Sequence, residues 1–321
     1  MKPKVYVTRH LPKVALAKLV ETCDVEIWDE EFPPDYDLLT EKVADKDGLV
    51  CLLTDKIDAD LMDAGPNLKV ISQVAVGYDN IDVPAATARQ IPVGNTPGVL
   101  TDATADFAFA LLMAAARRVV EGVDYVRADK WQTWGLTLLL GQDIAGATLG
   151  IVGMGRIGQA MAKRAAGFDM RLLYTSRQRK PEAEAKLGAA YVDFDTLLQE
   201  SDFISLHVNL TDKTRGLFGA EAFGKMKETA VLINTARGPV VDSDALYDAL
   251  KEGQIGYAAL DVTDPEPLPV DHKLLTLPNI IIVPHIASAT ITSRTKMAMM
   301  AVENVIAGVK GEPLPFPVNS I

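Results

Sequence analysis

The chain has 321 residues, a length that favours about two domains over one. It carries 43 acidic and 32 basic residues, so its net charge is −11, and 48% of its residues are hydrophobic. This balance excludes a disordered chain and disfavours a nucleic-acid-coating protein, which needs a positively charged face. Two cysteines exclude a disulfide framework and favour a reducing, cytoplasmic location. No apolar run is long enough to cross a membrane.

The first hundred residues alternate short apolar runs with helical patterns. The runs are rich in Val, Ile and Leu, as expected for parallel strands that are covered on both faces. They predict strands at Val5–Val7, Val25–Trp28, Gly48–Leu53, Leu68–Val74 and Pro92–Asn95. Strands that alternate with helices in this order predict a doubly wound parallel sheet.

A long helix is predicted at Thr101–Arg118, where apolar residues occupy nearly the whole circumference. A helix that is apolar all round is expected to be buried all round. Two interpretations stay open for this segment. It is either a central core helix or a helix shared between two domains or two subunits.

A second series of strands and helices follows from Ala147. Its strands are predicted at Thr148–Val152, Arg171–Tyr174, Phe203–Val208, Ala230–Asn234, Tyr257–Leu260 and Ile280–Val283. A final helix is predicted at about Thr292–Gly308. The fold class is therefore α/β, with two doubly wound parallel-sheet domains.

A glycine-rich loop joins the first strand of this second series to its helix. Gly153, Gly155 and Gly158 form the pattern G-x-G-x-x-G. In this context the first glycine allows a tight turn, the second lets the backbone approach a pyrophosphate, and the third lets helix and strand pack closely. The pattern predicts a dinucleotide-binding site, and an ordinary tight turn is the alternative.

The residues after the next strand indicate which dinucleotide is preferred. An NAD-binding protein usually has a carboxylate here, whereas this chain has Ser176, Arg177 and Arg179. The segment from Arg156 to Lys180 contains seven bases and one acid, in an otherwise acidic chain. Cations and a hydroxyl would bind a 2′-phosphate, so the sequence predicts NADPH, with NADH as a weaker alternative.

Three polar residues follow later strands of the same series. Arg237, Glu266 and His285 are expected at the carboxyl edge of the sheet, where open α/β sheets bind ligands. Arg237 can pair with a carboxylate, His285 can donate a proton, and Glu266 can orient the imidazole. This set suits reduction of a 2-oxo acid. Taken singly, each residue more often has a structural role, such as a surface salt bridge, a loop or a core position, but the three together at one edge favour catalysis.

The remaining histidines and cysteines carry less information. His207 lies near the expected dinucleotide and is interpreted as a pocket-lining residue, whereas His10 and His272 have no partners that the sequence can place. Cys23 and Cys51 lack the spacing of metal ligands. No metal site is predicted.

Several stretches together resemble the D-2-hydroxyacid dehydrogenases that use an Arg/Glu/His catalytic set, most closely the NADPH-preferring glyoxylate/hydroxypyruvate reductases. The matching stretches span most of the chain in the order that the family shows. They are Val76–Asp82, Gly153–Gly158, Ile233–Gly238, Ala259–Val262, Pro265–Pro267 and Pro284–Thr290.

The resemblance implies a role for each matched residue. Arg237, Glu266 and His285 would be catalytic, and the substrate would also be bound by the backbone N–H groups of Val76 and Gly77, with contributions from Leu53 and Trp134. The cofactor would be bound by residues of the glycine loop and of the loops that follow later strands. These are Gly153, Gly155, Arg156, Ile157, Gly158, Ser176, Arg177, Arg179, Thr235, Ala236, Asp261 and Ser288.

The family architecture also implies the domain organisation. A Rossmann-type cofactor domain, residues 100–290, would be inserted into a flavodoxin-like substrate domain, residues 1–99 and 291–321. The partners implied are a small 2-oxo acid and a second copy of the chain, which would bind through the 101–140 region, with neither nucleic acid nor membrane.

Other functions remain as alternatives to a glyoxylate/hydroxypyruvate reductase. Another D-2-hydroxyacid dehydrogenase, of the D-lactate or phosphoglycerate type, would share the catalytic set. A dinucleotide-sensing corepressor could keep the same three residues in a binding module. Glu266 argues against a formate dehydrogenase, whose usual histidine partner is glutamine, and Val76 argues against a phosphite dehydrogenase, which would carry lysine in that segment.

Overall fold

The structure is a computed structural model that describes all 321 residues. The chain divides into two compact units. Unit 1 combines the two ends of the chain, Met1–Leu100 and Ala289–Ile321, and unit 2 is the continuous segment Thr101–Ser288.

Unit 1 is built on a sheet of five parallel strands. They are β1 (Lys4–Val7), β2 (Asp24–Ile27), β3 (Gly48–Cys51), β4 (Val70–Gln73) and β5 (Val93–Gly94). Their order across the sheet is β2-β1-β3-β4-β5, which is the flavodoxin-like order. The strands β3 and β4 are completely buried, as the continuous apolar runs predict.

Five helices cover this sheet, four from the first segment and one from the end of the chain. They are α1 (Lys13–Thr22), α2 (Tyr36–Val43), α3 (Ala59–Ala64), α4 (Val83–Ala88) and α12 (Ile291–Val309). Helix α12 packs against the middle of the sheet, where the Ser72 hydroxyl donates a hydrogen bond to the Ala301 carbonyl at 2.8 Å. This helix is therefore an integral part of unit 1.

Unit 2 is built on a sheet of seven parallel strands. They are β6 (Thr148–Val152), β7 (Arg171–Thr175), β8 (Ala190–Tyr191), β9 (Phe203–Leu206), β10 (Val231–Asn234), β11 (Tyr257–Leu260) and β12 (Ile280–Ile282). Their order is β12-β11-β10-β9-β6-β7-β8, so the direction of winding reverses at β6. Ligands bind at such a reversal in doubly wound sheets.

Seven helices flank this sheet on two apolar cores, one on each face. They are α5 (Thr101–Ala116), α6 (Val119–Arg127), α7 (Arg156–Ala165), α8 (Pro181–Leu187), α9 (Phe194–Glu200), α10 (Ala220–Lys225) and α11 (Ser243–Lys251). The predicted fold class, two doubly wound α/β domains, is confirmed. None of the helices combines the length and the hydropathy that a membrane-spanning segment needs.

The long helix predicted at Thr101–Arg118 is present as α5, but it differs from the prediction in where it ends and in how far it is buried. It ends at Ala116, because Arg118 adopts a left-handed conformation with φ of 50°, and a second helix, α6, begins at Val119. The helix is also not buried all round, since Asp102, Asp106, Ala110 and Met113 form an exposed stripe. The acidic half of that stripe pairs with Arg164 of α7.

Candidate active site

The loops that follow β10 and β11 meet closely at the carboxyl edge of the seven-stranded sheet. A Cβ atom on Gly238 would lie 1.8 Å from the Thr263 carbonyl oxygen, so only glycine permits this contact. The Asn234 side chain holds the first loop by donating to the Arg237 carbonyl at 2.9 Å and accepting from the Ala236 N–H at 3.0 Å. Arg237 and Glu266 are brought to the same edge by this packing.

Glu266 and His285 form a direct pair at this edge. The imidazole Nδ1 of His285 donates to Oε1 of Glu266 at 2.5 Å, and the side chains are 26% and 42% exposed. Burial raises the pKa of Glu266, but the hydrogen bond and charge of His285, together with the charge of Arg237, outweigh burial and lower it. The three predicted residues therefore interact electrostatically in one cluster, with Glu266 kept charged.

Asp261 holds the backbone around His285 through three hydrogen bonds. Its buried carboxylate accepts hydrogen bonds from the N–H groups of Ile286 at 2.7 Å and Ala287 at 2.9 Å. The His285 N–H donates to the Asp261 carbonyl at 2.9 Å, and His285 itself has a left-handed φ of 52°. Asp261 thus holds the backbone on both sides of His285 in a conformation that non-glycine residues seldom adopt.

The glycine loop has the shape that a pyrophosphate requires. Gly153 has φ of 101°, and a Cβ atom there would lie 2.5 Å from the His207 carbonyl oxygen. A Cβ atom on Gly158 would lie 2.1 Å from the Gly153 carbonyl oxygen, so the loop and the start of α7 touch. Gly155, in contrast, has nothing within 4 Å of its Cβ position, which leaves its backbone open to a ligand.

Thr235 provides a second sign of a bound group beside the catalytic cluster. Its hydroxyl oxygen is buried and has no hydrogen-bond partner within the protein. Buried polar atoms are nearly always paired, so this hydroxyl is available to hydrogen-bond a group bound at this edge. The open backbone at Gly155 and the unpaired hydroxyl of Thr235 both fit a dinucleotide at this edge.

The three predicted 2′-phosphate ligands on the loop after β7 differ in exposure and in their partners. Ser176 is half-buried and Arg177 is exposed at the tip. Arg179 instead pairs with Glu184 of α8, with Nε and Nη2 each donating to a carboxylate oxygen at 2.8 Å. Glu184 was missed from the sequence. The carboxylate one helical turn after Pro181 was the available signal.

His207 lies next to the glycine loop, and its environment differs from that of His285. Its Nε2 is 2.9 Å from the Ser205 hydroxyl, and its N–H donates to the Val152 carbonyl. Burial lowers the pKa of His207 to about 4. This imidazole is therefore neutral near pH 7 and unsuited to donating a proton there.

The substrate-binding residues predicted in unit 1 lie on loops at the carboxyl edge of its own sheet. The Val76 carbonyl accepts from the Asn95 amide at 2.8 Å, and the Gly77 carbonyl accepts from the Gln73 amide at 3.3 Å. Asn80 donates to the carbonyls of Leu52 and Asp55, which fixes the loop that contains Leu53. Neutral amides thus hold this backbone in place.

The other predicted site residues are all in unit 2. Arg156 and Ile157 open α7, next to the glycine loop, and Ala236 directly precedes Arg237. Ser288 is half-buried, three residues after His285. Trp134 lies in the irregular segment between α6 and β6 and is 77% exposed.

The chain has clear similarities to known proteins. Residues 109–287 match the family described as "D-isomer specific 2-hydroxyacid dehydrogenase, NAD binding domain". The glyoxylate reductase of Korarchaeum cryptofilum is 54% identical, over 99% of this chain and 96% of the relative. The glyoxylate reductase of Thermococcus litoralis is 52% identical, over 99% of this chain and 97% of the relative.

A solved structure extends the similarity to a cofactor complex. It is an NADPH-dependent glyoxylate/hydroxypyruvate reductase from Sinorhizobium meliloti in complex with NADP and malonate. The two structures superpose with a TM-score of 0.88 at 32% sequence identity, covering 99% of this chain and 97% of that chain.

Proposed function

This chain belongs to the D-isomer specific 2-hydroxyacid dehydrogenase family, and we propose that it reduces glyoxylate and hydroxypyruvate to glycolate and D-glycerate with NADPH. The observation that carries the proposal is the hydrogen bond between His285 Nδ1 and Glu266, beside Arg237. A charged carboxylate on Nδ1 fixes the orientation of the ring, so Nε2 is the atom that donates to substrate.

The residues of the cluster have distinct tasks in this reaction. Arg237 pairs with the substrate carboxylate and polarises the adjacent carbonyl. His285 donates the Nε2 proton to the carbonyl oxygen as the carbon is reduced. Glu266 holds the ring through Nδ1 and stabilises its positive charge. The nicotinamide dinucleotide, when bound, supplies the hydride.

The cofactor contacts are proposed for the glycine loop and its neighbours. Gly153, Gly155 and Gly158, with the N–H groups of Arg156 and Ile157, would hold the pyrophosphate. Thr235, Ala236, Asp261 and Ser288 would lie along the nicotinamide half. The hydroxyl of Ser176 and the guanidinium of Arg177 would bind the 2′-phosphate, which supports a preference for NADPH.

The proposal for substrate binding extends to unit 1. The backbone N–H groups of Val76 and Gly77 would bind the substrate carboxylate, with Leu53 as an apolar contact. Two hydrogen bonds support this, because each fixes the peptide plane that carries one of these N–H groups. The Ala75 carbonyl, which shares a plane with the N–H of Val76, accepts from the Thr96 N–H at 2.9 Å, and the Val76 carbonyl, which shares a plane with the N–H of Gly77, accepts from the Asn95 amide at 2.8 Å.

We also propose a homodimer formed through the 101–140 region. Helix α6 exposes Val119, Val123 and Val126 on one face, and the segment after it exposes Trp131 and Trp134. Exposed apolar residues of this kind mark an interface. In the proposed dimer, Trp134 would reach toward the substrate site of the partner subunit. Light scattering on the purified chain should give a dimer mass, and Val123→Asp should give a monomer.

A substrate panel tests the proposed function. Purified enzyme is incubated with glyoxylate, hydroxypyruvate, pyruvate and a larger 2-oxo acid, each with NADPH and with NADH, and cofactor consumption is followed by absorbance. We expect the highest kcat/KM for glyoxylate or hydroxypyruvate with NADPH. Higher values for pyruvate would favour a D-lactate type, and no turnover with any oxo acid would favour a sensing module.

A further inference from the structure

Glu184 of α8 is the centre of a small network at the base of the loop that follows β7. Its two carboxylate oxygens accept from Nε and Nη2 of Arg179, both at 2.8 Å. Oε1 also accepts from the Tyr174 hydroxyl at 2.6 Å, and that hydroxyl accepts from the Lys180 N–H at 2.7 Å. One carboxylate therefore holds the side chain of Arg179 and, through Tyr174, the backbone at Lys180.

The network changes how much positive charge the loop can offer to a ligand. The loop has three bases, Arg177, Arg179 and Lys180. The guanidinium of Arg179 is held by a bidentate interaction, which fixes its position as well as its charge. Side-chain hydrogen bonds from Arg179 and Tyr174 lower the pKa of Glu184 to about 2, so the carboxylate is charged at neutral pH.

We propose that Glu184 is a specificity-determining residue that limits discrimination between NADPH and NADH by keeping Arg179 away from the 2′-phosphate. The proposal rests on the proposed function, in which Ser176 and Arg177 bind that phosphate. Arg179, which the sequence suggested as a direct phosphate ligand, is assigned instead to the bidentate pair with Glu184. Removing the carboxylate would free a guanidinium on the same loop and add one positive charge beside the phosphate site.

Binding of a nucleotide fragment tests this without turnover. Adenosine 2′,5′-bisphosphate and 5′-AMP are titrated by calorimetry into the wild type and into Glu184→Gln, Arg179→Gln and the double variant. The ratio of the two dissociation constants measures recognition of the 2′-phosphate. We expect Glu184→Gln to raise this preference roughly two- to fivefold, the range for one exposed ion pair. Arg179→Gln alone leaves the charge of Glu184 uncompensated and should lower the ratio slightly, whereas the double variant, which lacks both charges, should return to the wild-type ratio.

Matched controls separate a local effect from a change in overall charge. Arg171, the first residue of β7, and Glu200, the last residue of α9, form an exposed ion pair at the end of β7 opposite to the loop. Glu200→Gln makes the same charge change as Glu184→Gln and should not alter the ratio. Glu184→Asp, which shortens the carboxylate by one methylene, is a second variant that should raise the ratio in the same direction. The gain should also shrink at high salt.

Two results would overturn the proposal. A 2′-phosphate preference well below that of the wild type in the double variant would show that Arg179 already contacts the phosphate. An unchanged or lowered preference in Glu184→Gln and Glu184→Asp would show that the carboxylate does not restrain it. Failure of the proposed NADPH preference would look different. The wild type would then bind adenosine 2′,5′-bisphosphate and 5′-AMP equally, and Arg177→Gln would not change the ratio of their dissociation constants.

Discussion

Each of the two sheets carries a histidine–carboxylate pair at its carboxyl edge, and the two pairs have different surroundings. In unit 1, His10 follows β1 and its Nε2 contacts Asp29, which follows the neighbouring strand β2. In unit 2, His285 follows β12 and its Nδ1 contacts Glu266, which follows the neighbouring strand β11. The residue types and the topological position are alike in the two pairs.

The environment of the two pairs is different. The side chains of His10 and Asp29 are 64% and 82% exposed, whereas those of His285 and Glu266 are 26% and 42% exposed. The charge of Arg237 acts on Glu266, and the Asp261 carboxylate fixes the backbone that follows His285. A histidine and a carboxylate therefore become a candidate acid–base pair through partial burial, a fixed backbone and a nearby cation.

The largest expected effect separates the two histidines. His285→Ala should lower kcat for glyoxylate reduction by roughly 10²–10⁴-fold, the usual scale for loss of a general acid. His10→Ala removes the matching side chain in unit 1 and should leave kcat close to that of the wild type. Steady-state rates with NADPH measure both, with melting temperatures to confirm folding. Near-normal turnover in His285→Ala would remove this residue from the mechanism.

The next effect concerns Arg237, whose charge acts on the carboxylate of the second pair. Arg237→Lys keeps the charge but loses the planar fork that binds a carboxylate in two places. We expect kcat/KM for glyoxylate to fall roughly 10- to 100-fold, in the range for hydrogen bonds to charged groups. Arg9→Lys, next to His10 in unit 1, is the control and should change little. Equal effects of Arg237→Lys and Arg9→Lys on kcat/KM would contradict the assignment of substrate binding to Arg237.

The smallest effect is a shift in pH dependence. Burial raises the pKa of Glu266, but the hydrogen bond and charge of His285 outweigh burial and lower it, so the carboxylate is charged at neutral pH. Protonation of Glu266 should therefore cause an acid limb in the kcat profile of the wild type, at a pH below the ordinary carboxyl range. Glu266→Gln replaces the carboxylate with an amide that does not titrate, so this acid limb should be absent from the variant. Asp29→Asn should leave the profile unchanged, and an unchanged profile in both variants would count against the Glu266–His285 pair.

The fold class was predictable because its signals are local. Alternating apolar runs and the glycine loop identified two doubly wound sheets, and the carboxyl-edge rule indicated where Arg237, Glu266 and His285 would lie. The prediction ended the long helix at Arg118, the residue that takes the left-handed conformation, but it missed helix α6, which begins directly afterwards. Strand β8 has only two residues, too few for a periodicity.

Side-chain partners were the least predictable part of the site. The pairing of Arg179 with Glu184 requires α8 to lie beside the loop, and spacing alone cannot show this. The support that Asp261 gives to the backbone after His285 spans two separate strands. Both contacts depend on tertiary packing, which sequence patterns do not encode locally.

The most direct test of the central claim is the stoichiometry of the reaction. Purified wild-type enzyme is incubated with glyoxylate and NADPH, and cofactor consumption and glycolate formation are quantified in the same samples. The account predicts saturable consumption that requires glyoxylate, with one glycolate formed for each NADPH oxidised. Consumption no faster than in the enzyme-free control, or consumption without glycolate, would contradict it.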